Sequence, residues 1–273
     1  MFFIGDRKTG TRIQVSPTIF PDRTSQFWKL DSKLFTFDNI IWKYESEAEV
    51  PRLFQLLMLF QKQHPNYQNV QLYIPFMPYA RQDKEVSNDL TFALKPFLAA
   101  LNTFISLSKV YAFDVHSACG VVDLKPTLLI NEIYKLGYDG MVFPDNSAML
   151  RYQGLIGDKD YITMKKVRDQ ASGKITGQDI LFMKMSKAPN KLLMIDDLID
   201  AGASFNGAAR SLKSLYPDVK IELFVSHGIF SQGYGELAKW FDHVHTTNTF
   251  MMRQDCPFKD FLNVFRLENY YAF

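Results

Sequence analysis

The feature that most constrains this chain is a series of near-continuous apolar stretches, each followed by a helical pattern. VQLYIPF (70–76), KVYAFDVH (109–116), GMVFPD (140–145), YITMKKVR (161–168), DILFMKM (179–185), KLLMI (191–195), VKIELFVSHGIF (219–230) and HVHTTNTF (243–250) read as strands. Helices are expected over 46–63, about 89–101, 127–136, 146–155, 204–215 and 232–241. In the first of these, Ser46 and Glu49 have the spacing of a capping box, and Val50, Leu53, Phe54, Leu57 and Phe60 share one face. A strand with one wet face alternates apolar and polar residues. A strand apolar along its length is covered on both faces, as in parallel sheets with helical crossovers. The expected fold class is therefore α/β, with two domains, 1–126 and 127–273, each built on a mostly parallel central sheet covered by helices.

The 273 residues are 47% apolar, enough for a core in each domain. Net charge is +2 with both signs interspersed, which argues against nucleic acid as a partner. No run approaches the roughly 18 apolar residues that cross a bilayer, and the N-terminal residues lack the order of a signal peptide. The two cysteines, Cys119 and Cys256, lie far apart without metal-ligand spacing and are expected to be buried free thiols. A soluble, cytoplasmic protein is expected.

In open α/β sheets ligands collect where strands end and loops lead into helices. Four strands here run into polar chemistry: LYIPFMPYARQD, YAFDVH, VFPD and MIDD. The last is the most specific. KLLMIDDLIDAGAS (191–204) reads as a core strand ending on Asp196 and Asp197, with Asp200 before a small-residue turn, Ala201-Gly202-Ala203-Ser204, that opens a helix. Such a turn leaves backbone N–H groups at a helix N-terminus to cradle a phosphate, while adjacent carboxylates accept from sugar hydroxyls. Read structurally, Asp200 would form a turn and Ser204 would cap the helix. Gly202 and Gly207 have P-loop spacing, but Ala208-Ala209 follow in place of Lys-Ser/Thr, so a P-loop is excluded.

This run resembles the ribose-binding signature of the phosphoribosyltransferase and ribose-phosphate pyrophosphokinase (PRPP synthetase) superfamily. PYARQDKE (78–85) is similar to the ATP-site stretch of PRPP synthetases, FDVH (113–116) to their magnesium segment and FPD (143–145) to another shared segment. Lys166-Val167-Arg168 is similar to their catalytic Lys-x-Arg, and SHGIFS (226–231) and TNT (247–249) match further segments in order. FPDRTSQFW (20–28) matches the adenine-contacting segment in part: Asp22 carries over, while Thr24 stands where a Glu is usual.

The resemblance implies two phosphoribosyltransferase-like domains, an ATP-side N-terminal one and a ribose-phosphate-binding C-terminal one. It also implies Mg2+-dependent transfer of the diphosphate of ATP to a ribose 5-phosphate unit, in a homo-oligomer (dimer or hexamer). Lys166 and Arg168 would be catalytic, and their spacing on a strand points both to one face. Arg81, Gln82, Asp83 and Asp22 would bind ATP. His116 and Asp145 would hold the metal. Asp196, Asp197, Asp200, Ala201, Gly202, Ala203 and Ser204 would bind the ribose phosphate. Two other readings are a phosphoribosyltransferase, disfavoured by the RQD stretch, and a non-catalytic relative, which would be free to lose Lys166, Arg168 or Arg81. The loop also bears on the acceptor. Ala201 replaces a usual hydroxyl and Ala203 a usual glycine, fewer donors than a phosphate monoester favours, so ADP-ribose is an alternative acceptor to ribose 5-phosphate. His243 and His245 alternate on a strand with no third ligand evident and receive no role; His227 is expected to be structural.

Overall fold

The computed structural model describes residues 1–85, 87, 89–168, 175–250 and 256–271, and for Arg168, Ile175 and Thr176 the backbone alone. The chain divides into two compact units, Met1–Lys125 with Leu267–Phe273, and Pro126–Arg266. Against the expected division at 126/127, residues 267 onward group with the first unit: Tyr271 Oη donates to the Lys125 carbonyl at 2.7 Å and its ring meets Phe113 edge-on.

The first unit contains β1 (Phe2–Asp6), β2 (Thr11–Val15), a hairpin of β3 (Thr18–Ile19) and β4 (Ser25–Gln26), β5 (Asn39–Trp42), α1 (Val50–Gln63), β6 (Gln71–Ile74), α2 (Leu94–Asn102), β7 (Val110–Phe113) and β8 (Val122–Leu124). Its sheet runs β2-β1-β5-β6-β7-β8, parallel from β5 to β8 and antiparallel around β1. Ile40, Trp42, Leu72, Ile74, Val110 and Ala112 from three adjacent strands pack with Leu53, Leu56, Leu57 and Phe60 of α1. The expected capping box is absent. Ser46 makes no capping bond, and Glu49 accepts instead from Trp42 Nε1 and the Glu45 amide, both at 3.0 Å, while Pro51 sits in the first turn of α1. α2 begins at Leu94, five residues later than expected.

The second unit contains α3 (Thr127–Tyr134), β9 (Gly140–Phe143), α4 (Asn146–Ile156), β10 (Tyr161–Arg168), β11 (Ile175–Lys184), β12 (Lys191–Ile199), α5 (Ala203–Leu215), β13 (Lys220–Gly228), β14 (His243–Thr247) and β15 (Leu262–Phe265). Its sheet runs β11-β10-β9-β12-β13-β14-β15, parallel except at the β10–β11 edge. Val142, Ile162, Leu192, Met194, Leu223 and Val225 from the strands join Phe205, Ala208, Ala209 and Leu212 of α5 in one core. β12 does not stop before the acids, as the sequence suggested. It continues to Ile199, because Asp196, Leu198 and Ile199 stay in register with Val225, His227 and Gly228 of β13. The helix expected over 232–241 is a single 3-10 turn at Leu237–Lys239, following Gly233 with a φ of +72°. Among the described residues no helix is long and apolar enough to cross a membrane. Cys119 and Cys256 are free and half-buried, where full burial was expected.

Candidate active site

In the second unit the candidate residues gather at the carboxyl ends of three neighbouring strands, β10, β9 and β12. β9 is buried throughout and delivers its loop straight into α4, whose N-cap is Asp145. One oxygen of Asp145 accepts from the Ala148 amide at 3.0 Å, the local bond that starts the helix. The other oxygen lies 3.2 Å from Lys166 Nζ, on the adjacent strand β10. Lys166 and Asp145, placed far apart by the sequence and given different roles, are thus an ion pair. Arg168 closes the same strand; its side chain lies outside the described residues.

Asp196 and Asp197 lie within β12. The Asp197 amide donates to Asp196 Oδ1 at 2.9 Å. Burial first, then the charge of Asp197 and a hydrogen bond between the two carboxyls, push the Asp196 carboxyl well above the usual carboxylate range, and Asp145 adds to this from further off. Asp196 is half-buried and Asp197 buried, and two carboxylates this close do not both readily hold full charge. Asp197 is buried and meets Arg151 of α4, with Nη1 3.4 Å from Oδ2. The sequence reading missed Arg151. The signal was there: Arg151 stands three residues after Ala148 and four before Leu155, both buried, which puts a guanidinium on the apolar face of its helix.

The turn after β12 also departs from simple expectation. Gly202, not Ser204, is the N-cap of α5, with a φ of +83°, and no side chain caps the helix. A Cβ at Gly202 would lie 3.0 Å from Leu237 Cδ2, a side-chain end that can move, so it is the left-handed backbone that favours glycine here. Asp200, Ala201 and Ala203 are exposed and Ser204 is half-buried. An uncapped first turn beside an exposed loop presents backbone N–H groups to an anion.

In the first unit Arg81, Gln82 and Asp83 occupy the loop after β6, and His116 follows the neighbouring parallel strand β7. The loop is a built turn: Tyr79 has a φ of +63°, the Gln82 amide donates to the Tyr79 carbonyl at 2.8 Å, and the Leu94 amide donates to the Gln82 carbonyl at 3.3 Å. Tyr79 Oη donates to Glu47 at 2.9 Å, and burial with that bond pushes the phenol up to about 12. Arg81 and Gln82 are exposed. Asp22 lies in the turn between β3 and β4. Its carboxylate accepts from the Thr24 hydroxyl at 2.7 Å and amide at 3.0 Å, which lowers its pKa; Thr24 here braces the acid.

For a magnesium ion the oxygen donors are of the right type. Among the described residues, however, no three His, Cys, Asp or Glu side chains converge as a metal cage. Both oxygens of Asp145 are engaged, so within the second unit it fits an ion that arrives with its own water and phosphate ligands, not a resident one. The His116 imidazole, in the first unit, suits a hard cation poorly. His227 is buried and meets Thr249 Oγ1 at 2.8 Å, a structural placement.

A doubly covered parallel sheet with an acid pair ahead of a glycine turn and an uncapped helix defines the phosphoribosyltransferase-like class of α/β proteins. No family model matches the chain. The ribose-phosphate pyrophosphokinase of Thermococcus kodakarensis is 25% identical over 212 residues, covering 72% of this chain and 73% of that protein. The ribose-phosphate pyrophosphokinase of Pyrococcus furiosus is 25% identical over 195 residues, covering 67% of each. The crystal structure of phosphoribosylpyrophosphate synthetase from Mycobacterium smegmatis superimposes with a TM-score of 0.74 at 18% identity, covering 95% of this chain and 88% of that one. The chain is thus similar in sequence to ribose-phosphate pyrophosphokinases and shares the fold of a phosphoribosylpyrophosphate (PRPP) synthetase.

Proposed function

We propose that this chain is an enzyme that transfers the β,γ-diphosphate of ATP to the anomeric hydroxyl of a ribose 5-phosphate unit. The bond from that oxygen to the β-phosphorus forms, the bond from the β-phosphorus to the AMP oxygen breaks, and the hydroxyl proton is lost. The observation that carries the reading is the convergence, at one end of the second sheet, of the Lys166–Asp145 pair, the Asp196–Asp197 pair and the uncapped turn of α5. Such transfer depends on positioning and on cations facing the phosphoryl oxygens. Lys166, with Arg168 on the same strand, supplies that charge. Asp196 and Asp197 meet the ribose hydroxyls, and the amides of 201–204 meet the phosphate. Arg81, Gln82, Asp83 and Asp22 bind ATP. Magnesium arriving with the triphosphate would neutralise phosphoryl charge; Asp145 in the second unit and His116 in the first are the residues assigned to it. A cytoplasmic homo-oligomer, dimer or hexamer, fits the partial match around Asp22.

A second acceptor is favoured by one observation. Ala201 and Ala203 are exposed and bring no hydroxyl, leaving Ser204 as the one side-chain donor in the loop. A phosphate monoester carries about −1.5 to −2 charge with three oxygens that seek donors. A phosphodiester has two free oxygens and needs fewer. ADP-ribose, with a free anomeric hydroxyl beyond a pyrophosphate, meets that description, and its diphosphorylation would rebuild an NAD precursor. Ribose 5-phosphate stands first on the family's chemistry. AMP release from MgATP with each acceptor decides. A preference of tenfold or more in kcat/KM for ribose 5-phosphate, about 1.4 kcal/mol, removes ADP-ribose. No AMP from either acceptor removes the pyrophosphokinase reading in favour of a phosphoribosyltransferase or a non-catalytic relative.

A further inference from the structure

α4 is placed to do more than cover the sheet. It follows β9, the strand between β10 and β12, and it reaches both neighbours. At its first turn Asp145 meets Lys166 of β10 at 3.2 Å. Six residues on, less than two turns further along the helix, Arg151 meets Asp197 of β12 at 3.4 Å. One helix therefore touches the side chain assigned to the phosphoryl group and a side chain assigned to the acceptor sugar.

The two contacts differ in kind. Lys166 and Asp145 are about one-third exposed, whereas the Arg151 and Asp197 side chains are 10% and 5% exposed. A guanidinium that deep is costly unless it faces negative charge, and an acid that deep beside a second carboxyl is costly unless one of the two keeps a cation. Of the two carboxyls, Asp197 is the one in contact with the cation. Asp196 shares a hydrogen bond with it and takes the Asp197 amide on Oδ1. A sugar diol donates its two hydroxyls to acids that stay in fixed rotamers. The polar cavity of about 490 Å³ lined by Arg7, Asp38, His64 and Lys109 lies at the amino ends of the first unit's strands, where Asp38 holds the Arg7 guanidinium at 2.7 Å.

We propose that Arg151 is a positioning residue for the acceptor: it fixes the rotamer and charge of Asp197, so that the acid pair meets the ribose hydroxyls in one set geometry. This rests on the acceptor assignment made under the proposed function. Arg151 touches no substrate in this scheme and acts through Asp197.

The test is titration calorimetry on the full chain, with ribose 5-phosphate and ADP-ribose as acceptor probes and MgATP as the control ligand. Truncating one member of a buried charge pair is expected to weaken acceptor binding by Arg151→Met at least about tenfold, with MgATP binding unchanged. Arg151→Lys, which keeps the charge but not the fork, recovers part of the loss. On an Asp197→Asn background, Arg151→Met adds little, because the residue through which it acts has lost its charge. Should Arg151→Met fail to fold, Arg151→Met/Asp197→Asn leaves neither charge facing an uncharged partner and is compared with Asp197→Asn alone; equal acceptor binding supports the proposal. Wild-type-like acceptor binding by Arg151→Met, or a full additional loss on the Asp197→Asn background, overturns it. A wild-type protein that binds neither acceptor overturns the acceptor assignment and this role together. Binding by the wild type with an indifferent Arg151→Met overturns this role alone.

Discussion

Lys166 Nζ lies 3.2 Å from Asp145 Oδ2, and the other Asp145 oxygen caps α4, so the lysine assigned to phosphoryl charge is parked on the start of a helix. The pair is about one-third exposed, and ion pairs with that access to water contribute little to stability. Its geometry serves placement: Lys166 is held at the strand end, and the acid that holds it is bonded to the backbone.

Lys166→Ala is accordingly expected to lower turnover by about 100-fold or more, on the order of 3 kcal/mol of transition-state stabilisation, with little change in thermal midpoint. Arg168→Ala should match it, since both residues stand on β10 two positions apart. Steady-state AMP release on the purified variants checks this. Near-normal turnover in either variant removes β10 from the catalytic assignment.

Asp197→Ala is expected to raise the acceptor KM well above any change in the ATP KM, because the lost carboxylate belongs to the acid pair and not to the Arg81 loop. Separate KM measurements for the two substrates check it. The reverse pattern would move Asp197 to the nucleotide or metal side.

Much of this arrangement was legible in the sequence, and the misses have physical causes. Parallel strands buried on both faces leave continuous apolar runs, so β6, β7, β9, β10 and β13 stood out. The end of β12 did not, because Asp196 and Asp197 look like a terminus; strand pairing with β13, a long-range property, carries the acids inside the strand. The turn at 232–241 has helix-like apolar spacing, but Gly233 with a φ of +72° breaks it before a helix forms. The expected capping box failed because Trp42, a neighbour in space, claimed the Glu49 carboxylate. Arg151 was missed because charge on an apolar helix face has meaning only once its partner strand is known.

His245, left without a role by the sequence, gains one from packing. His245 meets Glu222 at 2.8 Å, and Tyr138 and Lys191 bond to the same buried carboxylate. Burial pushes the Glu222 carboxyl up, but the bonds from His245, Tyr138 and Lys191 outweigh it and hold it at about 2, against an ordinary 4.5. A depressed folded-state pKa gives stability that is present above the unfolded value, here about 4.5, and lost as pH falls toward about 2. The linkage is worth on the order of 3 kcal/mol. Glu222→Gln is expected to lower the thermal midpoint at pH 7 by on the order of 10 °C, with the gap to wild type narrowing between pH 4.5 and the acid limit of folding. A gap that does not change with pH would mean that the carboxylate's charge is not what stabilises this end of the sheet.

Gly202 separates the stability of the second unit from its capacity to hold a phosphate. Its φ of +83° is a conformation that side chains with a Cβ adopt at a cost of about 1–2 kcal/mol. The added Cβ would also press on Leu237 Cδ2 at 3.0 Å; that atom is the end of a side chain and can move, so backbone strain dominates. The variant has two ways to relieve the strain. It can keep the turn and lose about 1–2 kcal/mol of stability, or it can rotate the turn out of the left-handed region and re-aim the N–H groups at the start of α5. Because that helix has no side-chain cap to hold its first turn, the second route is the easier one. Gly202→Ala is therefore expected to weaken acceptor binding by more than its loss of thermal stability implies, while Ser204→Ala, which removes one hydroxyl and leaves the backbone alone, costs stability little and affinity less than about tenfold. Acceptor titrations and thermal melts on the two variants check the pair of outcomes. If Ser204→Ala loses more affinity than Gly202→Ala, the hydroxyl and not the backbone of this turn is the phosphate ligand.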